Sequence, residues 1–189
     1  MKWKKGAISF MSFSIELHFD EKSNLIIRNI WKKLRERDIS AYMDQYGGFP
    51  HIALAVFDDI DILEMERLIE KVAENESMFT VKMPSLGIFP SSESVLFLSP
   101  AASAALINLH KKLHGMLKDI EGKWEYYLPD FWVPHCTLGM NIPKSKIHDA
   151  LDAIVEDYEP LDVRIETIQL VEFNPVKLVK SFKLYNHAK

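Results

Sequence analysis

The chain has 189 residues, of which 48% are hydrophobic and 26% are charged. This balance is typical of a globular domain with a substantial core and excludes a disordered or low-complexity chain. The formal net charge of -4 argues against a binder of long duplex nucleic acid, because such proteins usually carry a basic surplus. Its length predicts a single domain, residues 1–189.

The single cysteine, Cys136, excludes an intramolecular disulfide, a zinc finger and a CxxC redox motif. A chain without a cysteine framework is typical of an intracellular protein, and we therefore expect a cytoplasmic location. Because the strand predicted around Cys136 turns this residue toward the core, we do not interpret it as a nucleophile.

The amino-terminal stretch carries basic residues before a short apolar run that ends at Ile15, and in this respect it resembles a signal peptide. However, the run is short, it meets Glu16, and no small-residue cleavage site follows. We therefore interpret it as an opening strand. No apolar run reaches the roughly 18 residues that a membrane-spanning helix needs, so no membrane segment is predicted.

The rest of the chain alternates between helical and strand periodicity. Apolar residues at helical spacing predict helices over 22–37, 62–74, 101–120 and 143–157. Apolar or alternating runs predict strands over 51–57, 79–89, 95–99, 134–140, 161–173 and 176–185. Residues 42–50 and 90–94 are predicted to form a loop and a turn, and an aromatic segment covers 124–132.

Two of the predicted strands open alike, with Phe49-Pro-His-Ile-Ala-Leu54 in one and Val133-Pro-His-Cys-Thr-Leu138 in the other. The two histidines, His51 and His135, are 84 residues apart, which is close to half the chain. A duplicated unit produces such a spacing. Each half, approximately 7–92 and 93–187, also has the order strand, helix, strand, helix, strand, strand. We therefore predict a bilobal α+β fold with pseudo-twofold symmetry.

Alternation along each strand places the histidine on one face with small residues and the apolar residues on the core face. The predicted ligand faces are His51, Ala53, Ala55 and His135, Thr137, Gly139, and the predicted core faces are Ile52, Leu54, Val56 and Cys136, Leu138, Met140. Two imidazoles over a floor of small residues leave room for a ligand. One can act as general base and the other as general acid near neutral pH, as a phosphodiester requires. The alternative for either histidine alone is an ordinary half-buried strand residue.

These motifs resemble the two-histidine phosphoesterases, which include 2′-5′ RNA ligases and 2′,3′-cyclic nucleotide phosphodiesterases and carry His-x-Thr/Ser-x twice. His135-Cys-Thr-Leu138 matches this signature fully, whereas His51-Ile-Ala-Leu54 lacks the hydroxyl at its third position. The similarity of element order covers nearly the whole chain. It implies two antiparallel sheets flanked by helices around a central cleft, with His51 and His135 as acid and base in either order and Thr137 as a phosphate ligand.

The resemblance therefore implies a phosphoesterase that needs no metal or cofactor and acts on 2′,3′-cyclic phosphates or 2′-5′ linkages of small nucleotides or RNA ends. Because Ala53 cannot donate the second phosphate hydrogen bond, the alternative is a nucleotide- or RNA-end-binding module with weakened catalysis. A third interpretation is a structural partner protein. The sequence leaves open the oligomeric state, the choice between hydrolysis and ligation, and the order of acid and base.

Aromatic residues near the ends of the site strands are further candidates for substrate contact, because a nucleobase stacks on such rings. Together with Ala53, these candidates are Tyr46, Phe89 and Trp132. Relatives also place a basic residue before the strand at 95–98, where this chain has Glu93 and Ser94. The lysines that could supply the missing charge are Lys82, Lys123 and Lys144, each of which is also an ordinary surface residue.

Two further groups have the spacing of a metal site but a simpler interpretation. His110 and His114 are four residues apart on a helix, and without the glutamate of the metalloprotease motif we interpret them as surface positions. We interpret the acidic residues Asp58, Asp59 and Asp61 as turn and helix-capping residues rather than a magnesium site.

Overall fold

A computed structural model of the chain describes residues 12–46, 48–173 and 175–185. The part of the opening-strand prediction that concerns residues 1–11 lies outside them. The strands are β1 (Ser12–Phe19), β2 (His51–Phe57), β3 (Phe79–Met83), β4 (Ser85–Phe89), β5 (Glu93–Ser99), β6 (Cys136–Pro143), β7 (Leu161–Phe173) and β8 (Lys177–Lys183). The helices are α1 (Glu21–Glu36), α2 (Tyr42–Gln45), α3 (Ile62–Ala73), α4 (Ala104–Met116) and α5 (Ile147–Val155).

These strands form two antiparallel sheets, which confirms the predicted α+β class. One sheet has the order β2-β1-β7-β3 with β8 also paired to β7, and the other has the order β4-β5-β6. The sheets do not follow the halves 7–92 and 93–187, because β4 joins the second sheet while β7 and β8 join the first. The crossing from β3 to β4 falls at Pro84, which has no N–H to donate to a ladder, so the strand predicted over 79–89 is two strands.

Three helices begin at side-chain caps. Asp20 accepts a hydrogen bond from the Ser23 backbone N–H at 3.0 Å, and Asp61 accepts one from Glu64 at 3.0 Å. Each such cap stabilises a helix by about 0.5–2 kcal/mol. The cap of α4 is Ser103, and α4 therefore covers only the middle of the helix predicted over 101–120. The capping role predicted for Asp61 is thus confirmed.

Two other predicted segments differ in detail. Residues 42–50, predicted as a loop, contain the one-turn helix α2. The helix predicted over 143–157 starts with a 3₁₀ turn, Lys144–Lys146, before α5. Neither change moves the strands that carry the two histidine motifs.

The central strand β1 has two faces of different chemistry, both buried. Phe13, Ile15, Leu17 and Phe19 pack in the core, and the opposite face consists of Ser12, Ser14, Glu16 and His18. Because β1 pairs with β2 on one side and β7 on the other, this polar face lies in the middle of the sheet. It forms the floor of the site described next.

Candidate active site

A cleft of about 1180 Å³ brings most of the predicted site residues together. His51 and Ala53 of the first motif and His135 and Thr137 of the second line it. Tyr46 and Phe89, expected as substrate contacts, also line it. The two motifs come from different sheets, and the fold places them around one space.

The two motif histidines are held in the same way. His51 Nδ1 lies 2.7 Å from the carbonyl oxygen of Phe49, and His135 Nδ1 lies 2.7 Å from that of Val133. A carbonyl oxygen only accepts, so each Nδ1 carries a proton and donates it. In each neutral ring, Nε2 is then the nitrogen that can take up a proton.

The surroundings of the two rings differ. His135 packs edge-on against Phe89, with ring centroids 5.0 Å apart, and lies 5.3 Å from Phe97. Burial lowers the pKa of His135 to about 4; a charge on His51 acts in the same direction, and the bond to Val133 opposes both. His135 is therefore neutral at neutral pH. His51 instead has its Nδ1 3.6 Å from the carboxylate of Glu16.

The alternation predicted for the motif strands breaks at the same place in both. β1 pairs Ile15 with Ala55 but Glu16 with Ala53, so Leu54 is an extra, bulged residue. In the second sheet, Leu96 pairs with Gly139 and Phe97 with Thr137, so Leu138 is bulged. Each bulge lies three residues after its histidine, as a duplicated motif predicts. Bulges of this kind reorient strands beside active sites.

The bulges reverse the faces of the residues that follow them. Val56 and Met140, predicted to face the core, line the cleft, whereas Ala55 packs in the core. The face assignments for these three residues were therefore wrong, because period-two alternation holds only in a strand without a bulge. An added Cβ on Gly139 would lie 2.9 Å from Ile142 Cδ1, so that residue also turns from the cleft toward the core.

The expected surface positions of His110 and His114 were also wrong. Both are buried; His114 Nε2 lies 3.0 Å from the carbonyl oxygen of the bulged Leu54, and His110 Nε2 lies 3.0 Å from that of Tyr127. Burial lowers the pKa of His110 to about 4, and the neighbouring His114 charge adds to this. As neutral rings they donate hydrogen bonds to backbone carbonyls, and the bond from His114 holds β2.

Trp132 also donates a hydrogen bond to the backbone of β2. Its indole N–H donates to the Ala53 carbonyl at 3.0 Å, and its ring stacks on His110 with centroids 3.8 Å apart. Trp31 on α1 likewise donates to the Thr137 carbonyl at 3.0 Å. The backbone of both motifs is thus held by tryptophans from outside their sheets.

The sequence did not predict three residues of β1 that line the cleft, namely Ser14, Glu16 and His18. Ser14 Oγ donates to Glu16 Oε1 at 2.6 Å, and His18 Nε2 donates to Glu16 Oε2 at 2.9 Å. Their spacing of two residues was the available signal, since it places all three side chains on one face. Such a pattern is equally typical of a solvated strand face, and only the pairing of β1 shows that it lies in the cleft.

The Glu16 carboxylate is ionised despite being buried. Burial by itself raises the pKa of Glu16, but the charges of His51 and His18 and the hydrogen bonds from His18 and Ser14 outweigh it and lower the pKa. His18 also lies beside His51, with ring centroids 5.8 Å apart. The site therefore contains a buried negative charge between histidines.

The basic residues that line the cleft are histidines. Among the cleft-lining residues that the structure describes, the basic side chains are His18, His51 and His135. Lys123 donates to the carbonyls of Leu117 and Ile120 at the end of α4. The other expected lysines lie outside the described lining, Lys82 on β3 and Lys144 in a 3₁₀ turn.

Neither a metal-binding cluster nor an exposed cysteine occurs among the residues that the structure describes. Within 12–46, 48–173 and 175–185 there is no group of three or more His, Cys, Asp or Glu residues arranged to hold a metal ion. Cys136 is buried, and burial raises the pKa of its thiol to about 12. No helix of the described residues is long and apolar enough to span a membrane.

Known proteins are similar to this chain in part of its sequence or in fold. The chain is 30% identical over 104 residues to a predicted phosphoesterase of Geobacillus sp. (strain WCH70), a match that spans 53% of this chain and 56% of that protein. A structure from Thermus thermophilus aligns with a TM-score of 0.62 and 18% identity, covering 94% of this chain and 100% of that one. Escherichia coli LigT complexed with 3′-AMP aligns with a TM-score of 0.60 and 15% identity, covering 92% and 98%.

The sequence profile of the 2′-5′ RNA ligase superfamily matches residues 26–176. This span contains both histidine motifs, and the family is one of phosphoesterases. The chain therefore belongs to the 2′-5′ RNA ligase superfamily, as the paired motifs predicted.

Proposed function

We propose that the protein is a phosphoesterase that hydrolyses 2′,3′-cyclic phosphates or 2′-5′ linkages of small nucleotides or RNA ends by paired-histidine acid–base catalysis. The observation that carries the proposal is the matched pair of imidazoles, one from each sheet, each fixed through Nδ1 to the carbonyl two residues earlier. Both present Nε2 for proton transfer. This chemistry requires no metal.

We assign His135 as the base and His51 as the acid. Burial keeps His135 neutral at neutral pH, so its Nε2 can accept a proton from an attacking water. His51 instead lies beside the Glu16 carboxylate, and a negative charge attracts the cationic ring of a proton donor. This difference in surroundings distinguishes the two roles that the sequence left open.

Hydrolysis of a 2′,3′-cyclic phosphate needs one proton removed from water and one added to the leaving ribose oxygen. His135 Nε2 takes the proton of the water as its oxygen forms the new bond to phosphorus. The bond from phosphorus to one ribose oxygen breaks, and the protonated His51 donates its proton to that oxygen. The product is a phosphomonoester, and the two imidazoles have exchanged protonation states, which the solvent restores.

Thr137 supplies a hydroxyl to a phosphate oxygen in this proposal, and Tyr46 or Phe89 supplies a ring for the base. The binding of 3′-AMP by LigT, which has the same fold, supports a nucleotide as the ligand. We propose a cytoplasmic location because the chain has a single cysteine and no disulfide framework. We propose RNA processing as its setting on the basis of the match to the 2′-5′ RNA ligase superfamily.

The test is turnover of 2′,3′-cyclic nucleotides and of RNA ending in a cyclic phosphate by protein treated with a chelator. We expect wild-type turnover, and a loss of about 10²–10⁴-fold in both His51→Ala and His135→Ala, the usual worth of a positioned acid or base. His148→Ala, which removes an exposed imidazole outside the cleft lining, is the matched control and should keep the wild-type activity. Nucleotide binding without turnover in wild type would support the binding module that the missing hydroxyl at Ala53 suggests.

A further inference from the structure

The least expected feature of the cleft is a carboxylate opposite the position where the first motif lacks its hydroxyl. Glu16 is the direct cross-strand partner of Ala53, and His18 is the partner of His51. Both pairs point into the cleft. The family signature would place a phosphate-binding hydroxyl at residue 53, and this chain has a methyl group there and a buried acid beside it.

An ionised carboxylate that is 6% exposed is costly unless other groups compensate its charge. Here the compensation comes from the site itself. Ser14 donates to one carboxylate oxygen, His18 donates to the other, and His51 Nδ1 lies 3.6 Å away. A smaller side chain at residue 53 leaves room for this arrangement.

We propose that Glu16 is a positioning residue that acts through His51, with His18 and Ser14 holding its carboxylate in place and Ala53 leaving it space. This inference rests on the proposed function. The carboxylate stabilises the protonated His51 ring that donates to the leaving oxygen. In this proposal the first motif has kept its function, with the Glu16 carboxylate present where the motif hydroxyl is missing.

The groups that face Glu16 from the surrounding elements fit this role. On β1 these are Ser14 and His18, and on β2 the titratable group is His51. On β7 the cross-strand partner is the uncharged Gln169. The phenol of Tyr127 also lies within reach of the Glu16 charge, and burial together with that charge raises its pKa to about 12, so it remains a neutral hydroxyl.

The kinetic experiment compares Glu16→Gln with wild type over a range of pH, using a 2′,3′-cyclic nucleotide. Glutamine keeps the size and loses the charge, so we expect kcat/KM to fall about ten- to hundredfold at neutral pH. The basic limb of the pH profile should also move to lower pH, because the carboxylate charge 3.6 Å from the ring of the proposed acid is lost. Glu166→Gln, which removes a carboxylate on β7 that pairs with Arg164 outside the cleft lining, is the matched control and should leave both kcat/KM and the limb as in wild type.

A second measurement does not depend on turnover. With ¹³C-labelled glutamate, the Glu16 carboxyl signal is identified by its loss in Glu16→Gln and followed through a pH titration. We expect it to titrate below the usual glutamate range in wild type and at higher pH in His51→Asn and His18→Asn. A carboxyl that titrates normally, or that ignores both substitutions, would overturn the proposal even if the enzyme turns over.

Restoring the family hydroxyl gives a third comparison. Ala53→Thr in the wild-type background places a hydroxyl beside the Glu16 carboxylate. Because this hydroxyl would donate its hydrogen bond to the carboxylate rather than to a phosphate, we expect less than a threefold rise in kcat/KM. An increase of tenfold or more would show that Ala53 is simply a weakened position and would contradict the role given to Glu16. Absence of any turnover, with the NMR coupling intact, would count against the proposed function and leave the Glu16–His51 pair in place.

Discussion

At the scale of single residues, the two motif histidines have different surroundings. His51 and His135 each open a similar motif and make the same hydrogen bond to a carbonyl two residues earlier. They differ because one ring packs among aromatic residues while the other lies beside a carboxylate. Similar motifs therefore do not imply identical chemistry.

The residue-scale prediction concerns the acidic side of the pH profile. Since burial lowers the pKa of His135 to about 4, the proposed base stays neutral until the pH falls to that value. We expect kcat/KM to decline on the acidic side only near pH 4, measured on a cyclic nucleotide. Circular dichroism at each pH controls for unfolding, and an acidic limb near the ordinary histidine value in folded protein would contradict the assignment.

At the scale of elements, the motif strands depend on contacts from outside their sheets. The bulged residue of β2, Leu54, has its carbonyl bound by His114 from α4. The carbonyl of Thr137, in the second motif, is bound by Trp31 from α1. Bulged strands leave backbone groups outside the ladder, and a buried group of this kind needs a partner.

We expect Trp31→Phe to show how much the hydrogen bond from Trp31 to the Thr137 carbonyl stabilises the fold. The ring still fills most of the space, but the Thr137 carbonyl loses its donor, at a cost of about 1–3 kcal/mol in the free energy of unfolding. Urea denaturation followed by circular dichroism measures this change. Leu25→Ala on the exposed face of the same helix is the control and should stay within about 0.5 kcal/mol. Equal effects of the two substitutions would show that the hydrogen bond contributes nothing.

At the scale of the whole molecule, buried neutral histidines link stability to pH. In the unfolded chain His110 takes up a proton near pH 6.5, whereas burial holds its pKa at about 4 in the folded state. Unfolding therefore takes up protons in this window, and stability falls as the pH drops through it. Burial acts in the same direction on His135.

The corresponding prediction is that the urea midpoint of wild type falls as the pH is lowered from about 6.5 to about 4. His110→Gln keeps a donor for the Tyr127 carbonyl and removes one titrating group, so its midpoint should depend less on pH. The exposed His148 provides the control, and His148→Gln should retain the wild-type slope. The same slope in all three proteins would rule out the contribution of His110.

The sequence by itself determined the elements and the identity of the motif residues. Hydrophobic periodicity predicted the helices over 22–37 and 62–74 to within a residue or two, because their amphipathic patterns are continuous and local. The spacing of His51 and His135 predicted a paired site, and the structure brings both into one cleft. These features depend on local pattern and on duplication.

Tertiary structure alone decided which sheet each strand joins, where the bulges fall and what faces the cleft. The exchange of β4, β7 and β8 between halves depends on long-range pairing, which leaves no local signal in the sequence. The bulge at Leu54 reversed the face of Val56 and the bulge at Leu138 reversed that of Met140, which simple alternation could not reveal. Glu16 became part of the site only because β1 lies between β2 and β7, since a polar strand face has the same pattern whether it meets solvent or a cleft.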